Sequence, residues 1–128
     1  MEFKKEKVYT PLAATPTHNV SQAIKYGNLV FVSGMVGEDE NEVLKEGLEA
    51  QCEQAFINMK NVLEAGGSGL EKVLFCQIFI AKREDRVIAN EVWDRFFLNM
   101  DVAPARYTVV APTVAEPYLF EITCVAGV

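Results

Sequence analysis

The sequence predicts an α+β fold, with a mixed β-sheet of five to six strands and two helices packed on one face. Strand-like segments alternate with two segments, 47–65 and 86–98, whose apolar residues recur with a helical period. Several connections between the predicted strands are short, as antiparallel neighbours allow. No repeat or long linker divides the chain, so residues 1–128 are expected to form a single domain.

The first half of the chain contains three predicted strands. A short edge strand is expected within residues 5–10, followed by a loop with two prolines. Residues 20–26 alternate between two faces, and Gly27-Asn28 is a two-residue hairpin signal. The next strand begins at Leu29 and ends at Ser33-Gly34, where the glycine would let the backbone turn or approach a ligand closely.

The second half alternates helices and strands. Acidic residues 37–46 lack the glycine spacing of a calcium loop and indicate a surface connection. Helix 47–65 follows, and residues 72–81 form a strand that is apolar on both faces. Asp85 is a favourable N-cap for helix 86–98. Within that helix Trp93 borders the apolar stripe, where it could pack against the sheet or against another subunit.

Two final strands, 106–111 and 118–126, complete the predicted sheet. Two helices cannot cover both faces of such a sheet, yet strand 72–81 has apolar residues on each face. We therefore expect a homo-oligomer in which another subunit supplies the second layer. A barrel closed within one chain is the alternative.

The composition excludes several classes of function. A net charge of −6 disfavours sequence-independent binding to nucleic acid, which requires a basic surface. No apolar run approaches the roughly 20 residues of a membrane span. The charged N-terminus lacks a signal core, so a cytoplasmic location is expected. Cys52, Cys76 and Cys124 are widely spaced and sit in apolar segments, as buried hydrophobes of a reducing compartment do.

Few residues are available for catalysis. His18 is the only histidine, so we expect neither a histidine-rich zinc site nor a Ser–His relay, and no metal or cofactor. Arg106 follows Pro104-Ala105 at a loop-to-strand junction, where its guanidinium could grip a carboxylate with two parallel hydrogen bonds. Glu121 lies alone in an apolar strand and therefore needs a partner or a function.

Arg106 and Glu121 are predicted to be cross-strand neighbours. If strands 106–111 and 117–126 form an antiparallel hairpin centred near Val114, the two residues face each other directly. Such a pair has two interpretations: a structural ion pair, or a site in which Arg106 binds a carboxylate and Glu121 orients or deprotonates a water.

The chain resembles the Rid (YjgF-like) family of reactive-intermediate, or enamine/imine, deaminases. Together, the Ser-Gly strand end and the Pro-Ala-Arg motif are a specific combination. The matching segments, which run through most of the chain, are Ser21-Gln22-Ala23, Gly27-Asn28-Leu29-Val30-Phe31-Val32-Ser33-Gly34, Glu49-Ala50-Gln51, Asn61-Val62-Leu63-Glu64-Ala65-Gly66-Gly67, Asn90-Glu91-Val92-Trp93, Phe96-Phe97 and Pro104-Ala105-Arg106.

This resemblance implies a chorismate-mutase-like fold assembled as a homotrimer, with sites in the clefts between subunits. By resemblance, Arg106 would hold the carboxylate of a 2-imino or 2-enamino acid, and Glu121 would position the hydrolytic water. The remaining implied substrate-binding residues are Ser33, Gly34, Asn90 and Thr108. The implied product is a 2-keto acid, formed with release of ammonia and without a bound cofactor.

The sequence departs from the family pattern in one loop. Family members usually carry Gly-Pro-Tyr before Ser-Gln-Ala, and the tyrosine lines the pocket, whereas this chain has His18-Asn19-Val20. At Thr108 the family often has cysteine. Two further hypotheses stay open: a trimeric carboxylate-binding or regulatory protein without turnover, and an RNA-directed activity, which the negative charge disfavours.

Overall fold

The computed structural model describes residues 2–128 and has the predicted α+β fold. A six-stranded mixed sheet carries two helices on one face. In chain order the elements are β1 (Glu6–Val8), β2 (Ala23–Tyr26), β3 (Leu29–Met35), α1 (Leu48–Ala65), β4 (Val73–Ile80), α2 (Arg86–Phe97), β5 (Ala105–Val110) and β6 (Phe120–Gly127).

The strands lie in the order β1-β2-β3-β6-β4-β5, so β1 and β5 are the edges of an open sheet. The alternative of a closed barrel within one chain is therefore wrong. Strands β2 and β3 form the predicted hairpin, with Tyr26 opposite Leu29. Gly27 adopts a φ of 62°, a left-handed conformation that glycine reaches without a steric penalty.

The predicted pairing of the last two strands is wrong. Strand β4 lies between β5 and β6, parallel to β5 and antiparallel to β6. Helix α2 connects β4 to β5 as a parallel crossover, and residues 111–119 carry the chain past β4 to β6. The hairpin prediction failed because it took neighbours in sequence for neighbours in the sheet.

The core lies between the sheet and the helices. Alternate sheet residues, including Val30, Ile78 and Ile122, are fully buried there, and α1 buries Phe56 and Leu63 against them. Burying side chains of this size stabilises the fold by about 1.5–3 kcal/mol each. The three cysteines also belong to this layer and are unpaired, as predicted.

The opposite face of the sheet carries no layer of the same chain. Phe31 and Tyr107 point to this side and are 44% and 46% exposed. We call it the open face. On β4 alternate residues such as Ile78 and Ile80 are buried, whereas Phe79, on the other face, is half-buried. Within residues 2–128, therefore, only one face of this strand is covered.

Asp85 is the residue directly before α2, as predicted, but its side chain makes no capping hydrogen bond to that helix. Its carboxylate instead accepts a hydrogen bond from the Lys82 backbone N–H at 3.2 Å, which closes the short turn before the helix.

Candidate functional site

Arg106 is the second residue of edge strand β5, and its side chain lies on the helix-covered side of the sheet. It is in register with buried Cys76 of β4. One guanidinium nitrogen, Nη2, donates a 2.9 Å hydrogen bond to Oδ1 of Asn90 on α2. The guanidinium carbon lies 4.6 Å from the centre of the Trp93 ring. Helix α2 therefore holds the arginine by an amide oxygen and by an aromatic face.

The positive charge of Arg106 has no acidic partner among residues 2–128, where the ion pairs involve other side chains. Partial burial, and after it the nearby charge of Arg86, lower the pKa of Arg106 from its usual value. A guanidinium nevertheless stays protonated in proteins. A partly desolvated cation whose remaining N–H groups lack a carboxylate favours the binding of an anion.

Thr108 lies two residues after Arg106 on the same side of β5, in register with Ile78. Its side chain is half-buried. Arg106, Asn90 and Thr108 are thus assembled at one edge of the sheet, as a carboxylate-binding half-site would require.

Glu121 belongs to a different place. It is in register with Phe79 and lies on the open face, between buried Phe120 and Ile122. The prediction that Glu121 faces Arg106 is therefore wrong. Strand β4 lies between β5 and β6, so the backbones of these two strands run roughly 10 Å apart. In addition, the side chains of Arg106 and Glu121 point to opposite faces of the sheet.

Glu121 instead meets Gly34 at the end of β3. A Cβ atom at position 34 would lie 2.9 Å from Cδ of the Glu121 carboxylate and would overlap one of its oxygens. Only a residue without a side chain leaves room for the carboxylate there. The glycine at position 34 thus has a steric reason, the nearby Glu121 side chain, whereas the predicted close approach of a ligand stays a prediction.

Around Glu121 the surface forms a cavity of about 260 Å³, lined among others by Thr15, Pro16, Val20, Ser33 and Gly34. A second cavity, of about 330 Å³, lies beside the 111–118 connection and contains none of the predicted site residues. We take the first as the candidate site because it brings together residues predicted independently.

Ser33 fixes the wall of this cavity. Its hydroxyl donates a 2.6 Å hydrogen bond to the Ser21 carbonyl, and its backbone N–H donates to the Gln22 carbonyl. The hydroxyl oxygen can still accept a hydrogen bond from a ligand.

Burial raises the pKa of Glu121 above its usual value, because desolvation disfavours the charged carboxylate. No described cation or hydrogen-bond donor compensates for this. A carboxylate of raised pKa is a better proton acceptor than an ordinary surface glutamate.

Sequence reasoning missed three buried amides that hold the loops around the site. Gln22 bonds to the backbone of Thr10, Ala13 and Ala14. The side chains of Gln51 and Asn58, both on α1, form hydrogen bonds with the backbone of two connections: Gln51 with the one before β6, and Asn58 with the one after β3. For Gln51 and Asn58 the available signal was a polar residue beside the apolar stripe of α1, whereas Gln22, which directly precedes β2, gave no such signal.

These features can now be compared with known proteins. A sequence profile of the family described as "Endoribonuclease L-PSP" matches residues 10–128. A 2-iminobutanoate/2-iminopropanoate deaminase of Dermatophagoides farinae is 38% identical over 107 residues, covering 82% of each chain. A RutC family protein of Saccharolobus solfataricus is 35% identical over 95% of this chain and 97% of its own.

The crystal structure of RidA from the Antarctic bacterium Psychrobacter sp. PAMC 21119 superimposes with a TM-score of 0.91. It is 31% identical and covers 96% of this chain and 99% of its own. This chain belongs to the Rid (YjgF-like) family.

As a Rid-family chain, this protein has its unusual loop beside the candidate site. Val20 stands where the resemblance implies a tyrosine, lines the Glu121 cavity and is 52% exposed. His18 is also exposed and adopts a left-handed φ of 57°. It does not line that cavity.

Two further features concern metal binding and membrane insertion. Within residues 2–128 no three His, Cys, Asp or Glu side chains are grouped so as to hold a metal ion. No helix in the same range has both the length and the apolar character needed to cross a bilayer.

Proposed function

We propose that this protein hydrolyses 2-imino and 2-enamino carboxylic acids to 2-keto acids and ammonia. The observation that carries the proposal is Arg106, a partly buried guanidinium held by Asn90 and Trp93 without an acidic partner. The deaminase name of the Dermatophagoides farinae relative supports the same reaction. The net charge of −6 supports a small molecule rather than a nucleic acid as the ligand.

The substrate carboxylate binds Arg106 through the N–H groups that Asn90 leaves free, while Thr108 lines the same edge. This carboxylate contact holds the imine carbon in one position, so that a bound water attacks it from a fixed direction. Glu121 orients that water and accepts its proton. Ser33 and the backbone of Gly34 form the adjacent wall.

The reaction balances without an external oxidant or reductant. Water adds to the imine carbon, forming a C–O bond, and its proton passes through Glu121 to the nitrogen. The hydroxyl proton of the resulting carbinolamine then also passes to the nitrogen while the C–N bond breaks and the C=O bond forms, so ammonia leaves and the 2-keto acid remains. An imine carbon is already electrophilic, so binding and water orientation suffice and the step needs no metal or bound cofactor.

We further propose that the site is shared between subunits of a homotrimer. Arg106 and Glu121 lie on opposite faces of one chain's sheet, so they can act on one substrate only if they come from different copies. The exposed aromatic residues Phe31 and Tyr107 make the open face suitable for burial against a second copy.

The test is an ammonia-release assay with imines generated in situ, from threonine by threonine dehydratase and from other amino acids by an amino-acid oxidase. Arg106→Ala is expected to lower kcat/KM about 10- to 100-fold, because it removes charge-assisted hydrogen bonds to the substrate. Arg83→Ala, at an exposed arginine before α2, is the matched control. Equal ammonia release by wild type, Arg106→Ala and the uncatalysed reaction would contradict the proposal.

Val20 favours one alternative, a regulatory protein that binds small carboxylates in the same cleft without turnover, because position 20 lacks the tyrosine hydroxyl of the family pattern. That function predicts that a 2-keto acid raises the melting temperature while no imine is hydrolysed faster than in buffer. Acceleration with any imine of the panel excludes it.

A further inference from the structure

Trp93 contacts Arg106 but has no role of its own in the steps of the proposed reaction. Its ring lies beneath the Arg106 guanidinium, with 4.6 Å between the guanidinium carbon and the ring centre. The ring is itself fixed: it packs against Phe97 at 4.4 Å between centres and meets Phe56 edge-on at 6.1 Å. Both phenylalanines are buried in the core.

We propose that Trp93 is the positioning residue of the carboxylate clamp, which holds the plane of the Arg106 guanidinium in the orientation that the substrate carboxylate requires. This inference rests on the proposed function, because it assumes that Arg106 binds a carboxylate. It adds a residue that touches no reacting atom and acts only through the arginine.

Two contacts restrain the guanidinium in different ways. The aromatic face of Trp93 sets the plane by a cation–π contact. The Oδ1 atom of Asn90 accepts from one nitrogen and sets the rotation within that plane. Asn90 accepts from Nη2 alone, so further N–H groups of the planar fork remain for a carboxylate, which such a fork matches with two bonds.

The reason for such a device is entropic. A free arginine samples many rotamers, and ordering it when the ligand binds weakens the affinity. Here the ordering takes place on folding, because helix α2 and strand β5 bring the ring and the arginine together. Trp93 should therefore affect binding of the carboxylate more than the later chemical step.

A neighbouring aromatic residue provides the control. Phe96 stacks on Phe56 with 4.9 Å between ring centres and, like Trp93, is half-buried on α2. It makes no recorded contact with the guanidinium. Phe96→Leu therefore removes an aromatic ring from the same cluster and leaves the support of Arg106 in place.

The first measurement is the Kd of 2-ketobutanoate, a product-type carboxylate, by calorimetry. Trp93→Leu is expected to weaken binding about three- to thirtyfold, the range of a partly desolvated cation–π contact. Trp93→Phe should stay within about threefold of wild type, since it retains a π face. In the imine assay Trp93→Leu should raise KM more than it lowers kcat. Trp93→Met replaces Trp93→Leu if the latter does not fold.

The second measurement needs no ligand. Nuclear magnetic resonance relaxation of the Arg106 Nε–Hε group should show an ordered side chain in wild type and Phe96→Leu, and a more mobile one in Trp93→Leu. If wild type neither binds the keto acid nor hydrolyses imines, the proposed function fails and the relaxation result alone decides on Trp93. Unchanged Arg106 order in Trp93→Leu, or the same Kd as Phe96→Leu, overturns the positioning role.

Discussion

Glu121 is a carboxylate placed where its charge is costly. Half-buried on β6, it has a raised pKa because of desolvation and finds no cation within residues 2–128. A group of this kind lowers stability when ionised. At an active site the same property is useful, because a proton acceptor works best when its pKa approaches the working pH.

We expect Glu121→Gln to stabilise the protein in a pH-dependent way. The folded-state pKa lies above the unfolded value, so the penalty is full above the folded pKa and absent below the unfolded one. The variant should therefore gain more in unfolding free energy at pH 7.5 than at pH 4, as urea titrations can measure. Glu116→Gln, in the exposed connection before β6, controls for the loss of one charge. An equal gain at both pH values would contradict the desolvation account.

Gly34→Ala should disable the site by steric overlap. The added Cβ would meet the Glu121 carboxylate and force it away from β3. We expect kcat/KM to fall at least about tenfold, as for a misplaced catalytic group. Gly127→Ala is the matched control, since a Cβ there finds its nearest neighbour, the Lys72 carbonyl oxygen, at 4.0 Å. Equal kcat/KM for both variants would show that Glu121 does not need this approach.

Helix α1 shows how one buried amide joins two connections. Nε2 of Gln51 donates to the carbonyls of Lys45 and Pro117, and Oε1 accepts from the Leu119 backbone N–H at 2.9 Å. The 111–119 connection, which carries the chain past β4, is thus attached to a helix that lies far away in sequence.

Gln51→Ala is expected to lower the free energy of unfolding by about 1–3 kcal/mol, because it leaves partly buried backbone groups without partners. The Leu119 amide should also exchange its hydrogen faster, since it loses its acceptor. Lys60→Ala, at an exposed site on the same helix, should change stability by less than about 0.5 kcal/mol. Unchanged exchange at Leu119 would contradict the role assigned to Gln51.

At the scale of elements, the sequence was sufficient where local rules decide. The Gly27 hairpin and both helices follow from turn chemistry and periodicity, whereas β3 continues to Met35, one residue past its predicted end. The position of β5 does not follow from these rules, because it depends on how α2 packs across the sheet. Sequential strands are neighbours only about two-thirds of the time. The same contrast holds for the candidate site. Arg106 could be recognised from its local motif, whereas its separation from Glu121 depends on the order of the strands in the sheet.

For the whole molecule, the order of the strands changes how Arg106 and Glu121 can interact. A cross-strand pair would have been compatible with a structural ion pair inside one chain. Opposite faces exclude that ion pair, and within residues 2–128 neither group has an oppositely charged partner. In the proposed assembly, the open face with its exposed aromatic residues is the surface that packs against a second copy.

The proposed site, completed by two subunits, is tested most directly by mixing two impaired variants. Arg106→Ala and Glu121→Gln chains are refolded together at equal amounts, and native mass spectrometry verifies that mixed trimers form. Each variant alone should retain no more than about a tenth of wild-type activity. When the chains assort at random, about three trimers in four are mixed, and each mixed trimer has one site of three that combines an intact arginine with an intact glutamate from the neighbouring chain, so about one site in four of the whole population is intact. We therefore predict recovery of about a quarter of wild-type ammonia release; mixed trimers without recovered activity would contradict the shared site.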